Sequence, residues 1–443
     1  MPGGPTSSPV SHPTNPACDQ VDLELIEDGL PTGEPHRRGT AGAAFRYPTF
    51  RRVYLGSLLS NVGTWMQNVC LGAFVFEQTH SSAWVGVMTL AQLGPLMALS
   101  LVGGAIADRF DRRTVLIIVS IEQGLFALVI GQLVRAETPN MAALILAVLA
   151  IGIGQAVYAP TYSALIPTLV DRVDMPGAIS LNSASMNLSR VIGPAIGGVL
   201  FAKVGAPWVM AGNAVTYLFI IGALWSVHLP RAVIAAGGSR WERIVEGVRA
   251  AQDDPVVSRC LTTMVGFSFF CLPIAVLMPD LARNNLGVDP KSVAYGFLYA
   301  SFGAGAMCGA LAIGTFLAHR DLARVVRFGL AGFAVALAAY ALVRRIELAY
   351  PIAFALGFCY FGSVTSLSTV LQQRLDDHVR GRVMALWVMA FGGTVPIGAM
   401  VAGPVADAIG ITPVLLFGAV VAAALVLYAD LARTTTPAMT QPA

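Results

Sequence analysis

Two ionisable side chains of this 443-residue sequence, Glu122 and Arg190, stand well inside long apolar runs, where a charge is costly to keep. A carboxylate in such surroundings can take up and release a proton, and a guanidinium can hold an anion. Unpaired, either would be expensive, so each is expected to be neutralised, paired or hydrated. We expect Glu122 to take part in proton coupling, with Arg190 as its charge partner or as the contact for an anion; a structural role for Glu122 competes with that reading. Amides and phenols at mid-run depth add hydrogen-bonding capacity: Gln67, Asn68, Gln155, Tyr158, Tyr162 and Tyr360, with Ser363 and Thr365. Glu77 and Asp280 fall near run ends, where solvation is expected.

Two clusters combine glycine with charge or with proline. The first reads Gly104-Ala-Ile-Ala-Asp108-Arg109-Phe-Asp111-Arg112-Arg113-Thr114. A carboxylate at a helix end can accept hydrogen bonds from the exposed amides of a neighbouring helix, and three guanidiniums can bridge carboxylates on adjacent loops or lipid phosphates. Such chemistry suits a latch. The second cluster, Gly193-Pro194-Ala195-Ile196-Gly197-Gly198, lets helices approach closely and bend, as a gate, a hinge or simply a tight crossing requires. No metal or other cofactor is expected: there is no His-Glu-x-x-His, and His80, His228, His319 and His378 lie at run ends or in loops. The six cysteines show neither disulfide nor zinc spacing and read as small core residues.

Only helices in a bilayer can position these groups. The chain is 56% apolar and 12% charged, where soluble proteins carry about 25% charge, and its mean hydropathy is +0.68. Apolar runs recur at 53–76, 83–107, 114–134, 141–166, 178–202, 207–229, 260–281, 293–317, 324–343, 348–371, 383–406 and 411–432. At about 1.5 Å per residue each can cross a hydrocarbon core of about 30 Å. The runs lack the alternation of a membrane barrel. The expected fold is an all-α integral membrane protein of twelve transmembrane helices.

Charge placement orients it. Of 28 basic residues, 21 fall on the side of the termini and alternate loops and 6 on the other side, with Arg190 inside a span. The positive-inside rule then puts both termini in the cytoplasm. Residues 1–48, rich in Pro, Gly, Ser and Thr, read as a disordered cytoplasmic tail without the apolar stretch of a cleaved signal peptide, and 434–443 as a second tail. The loop 230–259 separates six spans (49–229) from six more (260–433). Ser239 and Glu242 form a capping-box pattern there, and Trp241, Ile244, Val248 and Ala251 share a face, which predicts a short amphipathic helix lying at the cytoplasmic membrane surface or packed on the cytoplasmic ends of the bundle. The net charge of +3 is too balanced for a nucleic-acid partner.

The two halves echo one another. A shift of 205 residues sets Asp171 on Asp376, Gly193 on Gly398, Gly198 on Gly403, Gly205 on Gly410 and Gln155 on Tyr360, and a shift of 210 sets Gly86 on Gly296 and Gly104 on Gly314. Six-plus-six repetition is the mark of a carrier with two rocking halves. The 104–114 stretch resembles the loop signature of the major facilitator superfamily, with Asp111 where that signature has glycine; Asp can adopt a left-handed turn more readily than most residues, though at a cost glycine avoids, and the charges of the signature remain. The Gly193 to Gly198 stretch resembles the antiporter motif of its exporter branches, with Ser189 and Ser180 replacing two upstream glycines. Asn61-Val-Gly63-Thr64-Trp65-Met66-Gln67, Asn182, Asn187, Gln372 and Arg380-Gly381-Arg382-Val383 resemble the bacterial branch that includes the enterobactin exporter and related secretion-type permeases.

The resemblance implies a monomeric secondary transporter of the bacterial cytoplasmic membrane, exporting a siderophore, drug or other amphipathic metabolite in exchange for protons. It implies gating by Gly104, Asp108, Arg109, Arg112, Arg113, Gly193, Pro194, Gly197, Gly198, Arg380 and Arg382. Spans one, four, seven and ten would line the cavity, which makes Gln67, Asn68, Gln155, Tyr158, Tyr162 and Tyr360 the expected substrate contacts. An importer of the same superfamily is the nearest alternative. An intramembrane enzyme or a polytopic scaffold fits the motifs less well, and a pump would need a nucleotide-binding loop that the sequence lacks.

Overall fold

The computed structural model describes residues 39–227, 248–249, 251–317 and 320–430. Most of both tails and of the expected amphipathic helix lie outside these residues. Twelve long helical segments are present among them. They are α1 (Pro48–Thr79), α2 (Ser82–Arg109), α3 (Arg112–Leu133), α4 (Met141–Leu165), α5 (Met175–Val204) and α6 (Ala206–Trp225). The second six begin with α7, an interrupted helix of Pro255–Phe270, Ile274–Asp280 and Leu281–Asn285. After it come α8 (Val293–Thr315), α9 (Leu322–Leu342) and α10 (Ile346–Arg374). The last two are α11, made of Asp377–Val388, Met389–Gly393 and Thr394–Ile409, and α12 (Ile411–Tyr428). Ten are long and apolar enough to span a bilayer by composition alone; α1 and α5, at 32 and 30 residues, are long enough but richer in polar residues.

Local chemistry sets the ends. Side chains of Asp111, Asn140, Asp254, Ser292 and Asp321 accept from first-turn amides of α3, α4, α7, α8 and α9. Gly205 and Gly410, at φ +84° and +86°, end α5 and α11 in a conformation that disfavours a side chain, so the repeated glycine pair marks a repeated turn. Interruptions in α7 and α11 follow from Pro273, which has no amide to donate, and from a stretch of wider π-type turns at Met389–Gly393. One boundary expected from the sequence shifts. Residues 39–47 are structured rather than part of a disordered tail: Ala41–Ala44 is helical, Gly39 N donates to Asp174 Oδ1 (2.8 Å), and the Tyr47 hydroxyl donates to Asp171 and Asp174 (2.9 Å each). Those two carboxylates, Asp171 foremost, hold the Tyr47 phenol up at about 12, so it stays a donor.

Helices α3, α6, α9 and α12 turn large apolar side chains outward, Ile118, Leu218, Val335 and Val420 each being more than half exposed. Such an apolar belt is a lipid-facing surface. The halves meet along two seams, α5 against α8 and α2 against α11. We name the ends after the charge bias: inner for the arginine-rich end, outer for the other.

Candidate functional site

At the middle of the α5–α8 seam, the Arg190 guanidinium lies over the Phe361 ring (4.5 Å) and the Trp65 ring (5.3 Å). Trp65 belongs to α1 and Phe361 to α10, so one cation is shared by both halves. Its Nη1 lies 3.5 Å from Asn187 Oδ1, one turn away on α5, while Nε is buried with no hydrogen-bond partner. Tyr299 and Tyr360 lie within reach of its charge. Aromatic faces attract a cation without consuming its hydrogen bonds, so this guanidinium keeps donors for an anion. Around Tyr360 the rings of Phe267, Phe302, Phe361 and Phe391 approach within 4.5–6.5 Å between centroids. Tyr360, an expected substrate contact, is therefore brought together with Arg190.

The other expected substrate contacts serve the N-terminal half itself. Gln67 is buried and accepts from Asn213 Nδ2 of α6 (2.9 Å). Asn68 accepts from Gln92 Nε2 of α2 (2.6 Å), and Gln155 accepts from Gln123 Nε2 of α3 (3.2 Å). Tyr158 and Tyr162 stack on each other (5.6 Å) in a core with Phe50, Leu116 and Ile220. An amide or phenol in a span either lines water or finds a partner on the next helix, and apolar context alone does not distinguish these outcomes. Trp65, Tyr299 and Phe361 were the missed members of the site; Trp65 sits within the quoted Asn61 to Gln67 stretch, whereas Tyr299 and Phe361 carry no signal beyond aromaticity.

Glu122 and Arg190 do not form an ion pair among the described residues. Glu122 points at Gly154 of α4, where a β-carbon would meet its carboxylate, and its Oε2 is buried without a hydrogen-bond partner. The pairing expected from charge scarcity fails because α3 is a peripheral helix and Arg190 lies on the seam. Glu77 and Asp280 also differ from expectation. Glu77 pairs with Arg283 (3.5 Å) and Lys291 (4.0 Å), and Asp280 is 4% exposed and accepts from Ser82 Oγ (2.7 Å) and Asn284 (2.6 Å).

In the 104–114 stretch, Gly104 and Asp108 fall in the last turns of α2, with the Asp108 side chain outside the described atoms. Arg109 lies over the Phe110 ring (5.9 Å), Arg112 donates to the Ala164 carbonyl at the end of α4 (2.9 Å), and Arg113 donates to the Trp225 carbonyl at the end of α6 (2.8 Å). Arg112 and Arg113 thus meet carbonyls at negative helix ends. Asp111 has φ −60°, outside the left-handed region; it caps α3 by accepting from Thr114 N (2.9 Å) and Oγ1 (2.6 Å). Arg380 lies in the first turn of α11, donating to the Leu375 carbonyl (3.2 Å), with Arg382 two residues on.

Glycines build the seams with a two-fold logic. Gly193 and Gly197, flanking Pro194, press α5 against α1, and Gly198 meets Gly296 of α8 backbone to backbone. Their repeat partners do the same in mirror order: Gly398 presses α11 against α7, and Gly403 presses it against Ser82 of α2. Gly86 adds a contact with the Ala399 carbonyl. A β-carbon at Gly193, Gly198, Gly398, Gly403 or Gly86 would collide with backbone, which cannot give way, whereas at Gly197 it would press first on the Met66 side chain.

Twelve helices in two repeated halves, meeting along glycine seams around a central cation, define a major facilitator transporter. The chain belongs to the transmembrane secretion effector family of that superfamily, which it matches over residues 39–441. It is 26% identical over 366 residues to the staphyloferrin A transporter of Staphylococcus aureus, covering 81% of this chain and 89% of that one. It is 28% identical over 359 residues to the enterobactin exporter EntS of Escherichia coli, covering 77% and 81%. Among solved structures, a bacterial homologue of the human lysosomal transporter Spinster in an inward-facing, occupied conformation superposes with TM-score 0.72 at 15% identity, covering 88% of this chain and 97% of that one. The nucleoside transporter NupG superposes with TM-score 0.70 at 13% identity, covering 88% and 100%.

Proposed function

We propose that this protein exports a small amphipathic organic anion of the siderophore or secondary-metabolite class across the bacterial cytoplasmic membrane. Transport runs by alternating access, with a proton entering in exchange. Both termini face the cytoplasm, and the monomer is the working unit. The observation that carries the reading is Arg190: a cation shared by both halves, flanked by Trp65 and Phe361, with an unpartnered Nε. Carboxylates or catecholates with flat apolar surfaces suit such a site, because the guanidinium supplies charge and the rings supply stacking. The siderophore-linked names of the two relatives support the class. The outer end is held shut by contacts between the halves, which supports an inward-open resting state. In this scheme Glu122 carries the proton and the two glycine clusters and the inner arginines work the gates.

Replacing Arg190 by Gln should reduce export of an anionic substrate from reconstituted vesicles by about tenfold or more, and Lys should restore part of it. Equal transport by wild type and Arg190→Gln would sink the anion site. Comparing metabolites secreted by a deletion strain and its complement identifies the substrate. In everted vesicles Glu122→Gln should abolish the dependence on the proton gradient; an unchanged dependence would remove Glu122 from the coupling scheme.

A further inference from the structure

We propose that Asp407 is the outer latch of the transport cycle, a carboxylate of α11 that closes the outer end by capping helix α2 across the seam between the halves. Helix α2 begins with amides that have no intrahelical acceptor. Its N-cap residue, Ser81, does not cap it. Instead Ser81 Oγ donates to Asp407 Oδ2 (2.5 Å), Ser82 N donates to Oδ1 (2.7 Å) and Ala83 N donates to Oδ2 (3.1 Å). A second carboxylate of the C-terminal half, Asp280 of α7, takes the Ser82 hydroxyl (2.7 Å). A negative group at a helix N-terminus is favoured by the dipole and by charge-assisted hydrogen bonds.

Asp407 is ill placed for its own helix. It lies two residues before Ile409, the last residue of α11, at the negative end of the dipole. Among the described residues, its hydrogen bonds come from the start of α2 across the seam: the Ser81 hydroxyl and the Ser82 and Ala83 amides. Parting the halves would leave both a carboxylate at the wrong helix end and two uncapped amides to water, so the contact favours one conformation specifically. Gly403, against the Ser82 carbonyl, lets the two backbones come close enough for it to form. Glu77 of α1, paired with Arg283 and Lys291, adds a third polar tie between the halves at this end. The latch therefore sets which side of the membrane the Arg190 site faces, without touching the substrate.

The first test reads conformation rather than transport, so it can fail while the export reading survives. A cysteine at Ala399, fully buried on α11 where its carbonyl meets Gly86, reports outer opening through a membrane-impermeant thiol reagent in right-side-out vesicles. A cysteine at Ser183, exposed on α5 two turns from Arg190, reports inner opening in everted vesicles. Asp407→Ala should speed outer labelling about fivefold or more and slow inner labelling, with Asp407→Glu restoring both. No change in either rate, or a rise in both as a merely loosened fold would give, would overturn the latch. In the double variant Ser81→Cys with Asp407→Cys, oxidation should cross-link the seam and stop transport, and a reductant should restore it. Full transport by the cross-linked protein would overturn the proposal independently.

Discussion

Where the N-terminal half places amides, a phenol and an acid among α1, α3, α4 and α6, the C-terminal half places rings. The first centre holds Gln67 with Asn213, Thr64 with Tyr217 (3.2 Å), Gln123 with Gln155, and Glu122. The second holds Phe267 edge-on to Phe333 (4.7 Å), with Tyr360 and Phe302 stacked beside them (5.9 Å). Interhelical hydrogen bonds in a membrane contribute about 0.6 kcal/mol each on average, whereas buried rings contribute several kcal/mol through area and geometry. One half is thus held by many weak, exchangeable ties and the other by packing that has one good arrangement. Glu122 lies in the former, its Oε2 buried without a hydrogen-bond partner. The seams do not share this asymmetry: Gly193 and Gly198 on α5 are matched by Gly398 and Gly403 on α11, while Gly197 falls on Ala402.

The sharpest attack on that symmetry is Gly198→Leu beside Gly403→Leu. Overpacking costs about 1–3 kcal/mol, enough to deplete the outer-closed state about tenfold, so both variants should lose most transport in a vesicle assay. Loss at one position alone would break the seam equivalence. Next comes the contrast of centres. Phe333→Ala, at a fully buried ring, should cost about 3–5 kcal/mol, while Asn213→Leu should cost about 0.5–2 kcal/mol, as thermal unfolding in detergent will read. Equal costs would mean that the polar half is as rigidly built as the aromatic one. The smallest effect concerns pH. Burial pushes the Asp111 carboxyl up, but hydrogen bonds from Thr114 and the nearby Arg113 outweigh it and hold the group below its ordinary value. Its contribution is therefore present above the usual carboxylate range and lost as pH falls through the lowered value. Thermal stability should dip on acidification slightly more in wild type than in Asp111→Asn.

Much of the architecture was legible in the residues. Apolar runs located twelve helices to within a few residues, because a bilayer punishes any other backbone conformation. The spacing of Gly193, Gly198, Gly398 and Gly403 announced paired close contacts, and the structure supplies their partners. The site was less legible. Arg190 stood out as a charge in an apolar run, but its rings come from α1 and α10, far away in sequence. Tyr158 and Tyr162 read as cavity residues for the same reason that they make good core residues: a phenol in a span suits both. Asp407, near the end of a span, looks like any solvated acid until α2 is laid beside it.

What the sequence by itself determined about this protein was an all-helical membrane fold, the repeat between its halves and the glycine positions of close helix contact. The fold and the close contacts follow from the cost of burying a single residue or a single turn, which is local. What only the tertiary structure decided was which polar groups satisfy one another and which remain available. Gln67 is occupied by Asn213, Asp111 by its own helix, and the first amides of α2 by a carboxylate 324 and 325 residues away in the chain. Hydrogen-bond satisfaction is a property of pairs, and pairing across helices is fixed only once the seams have closed.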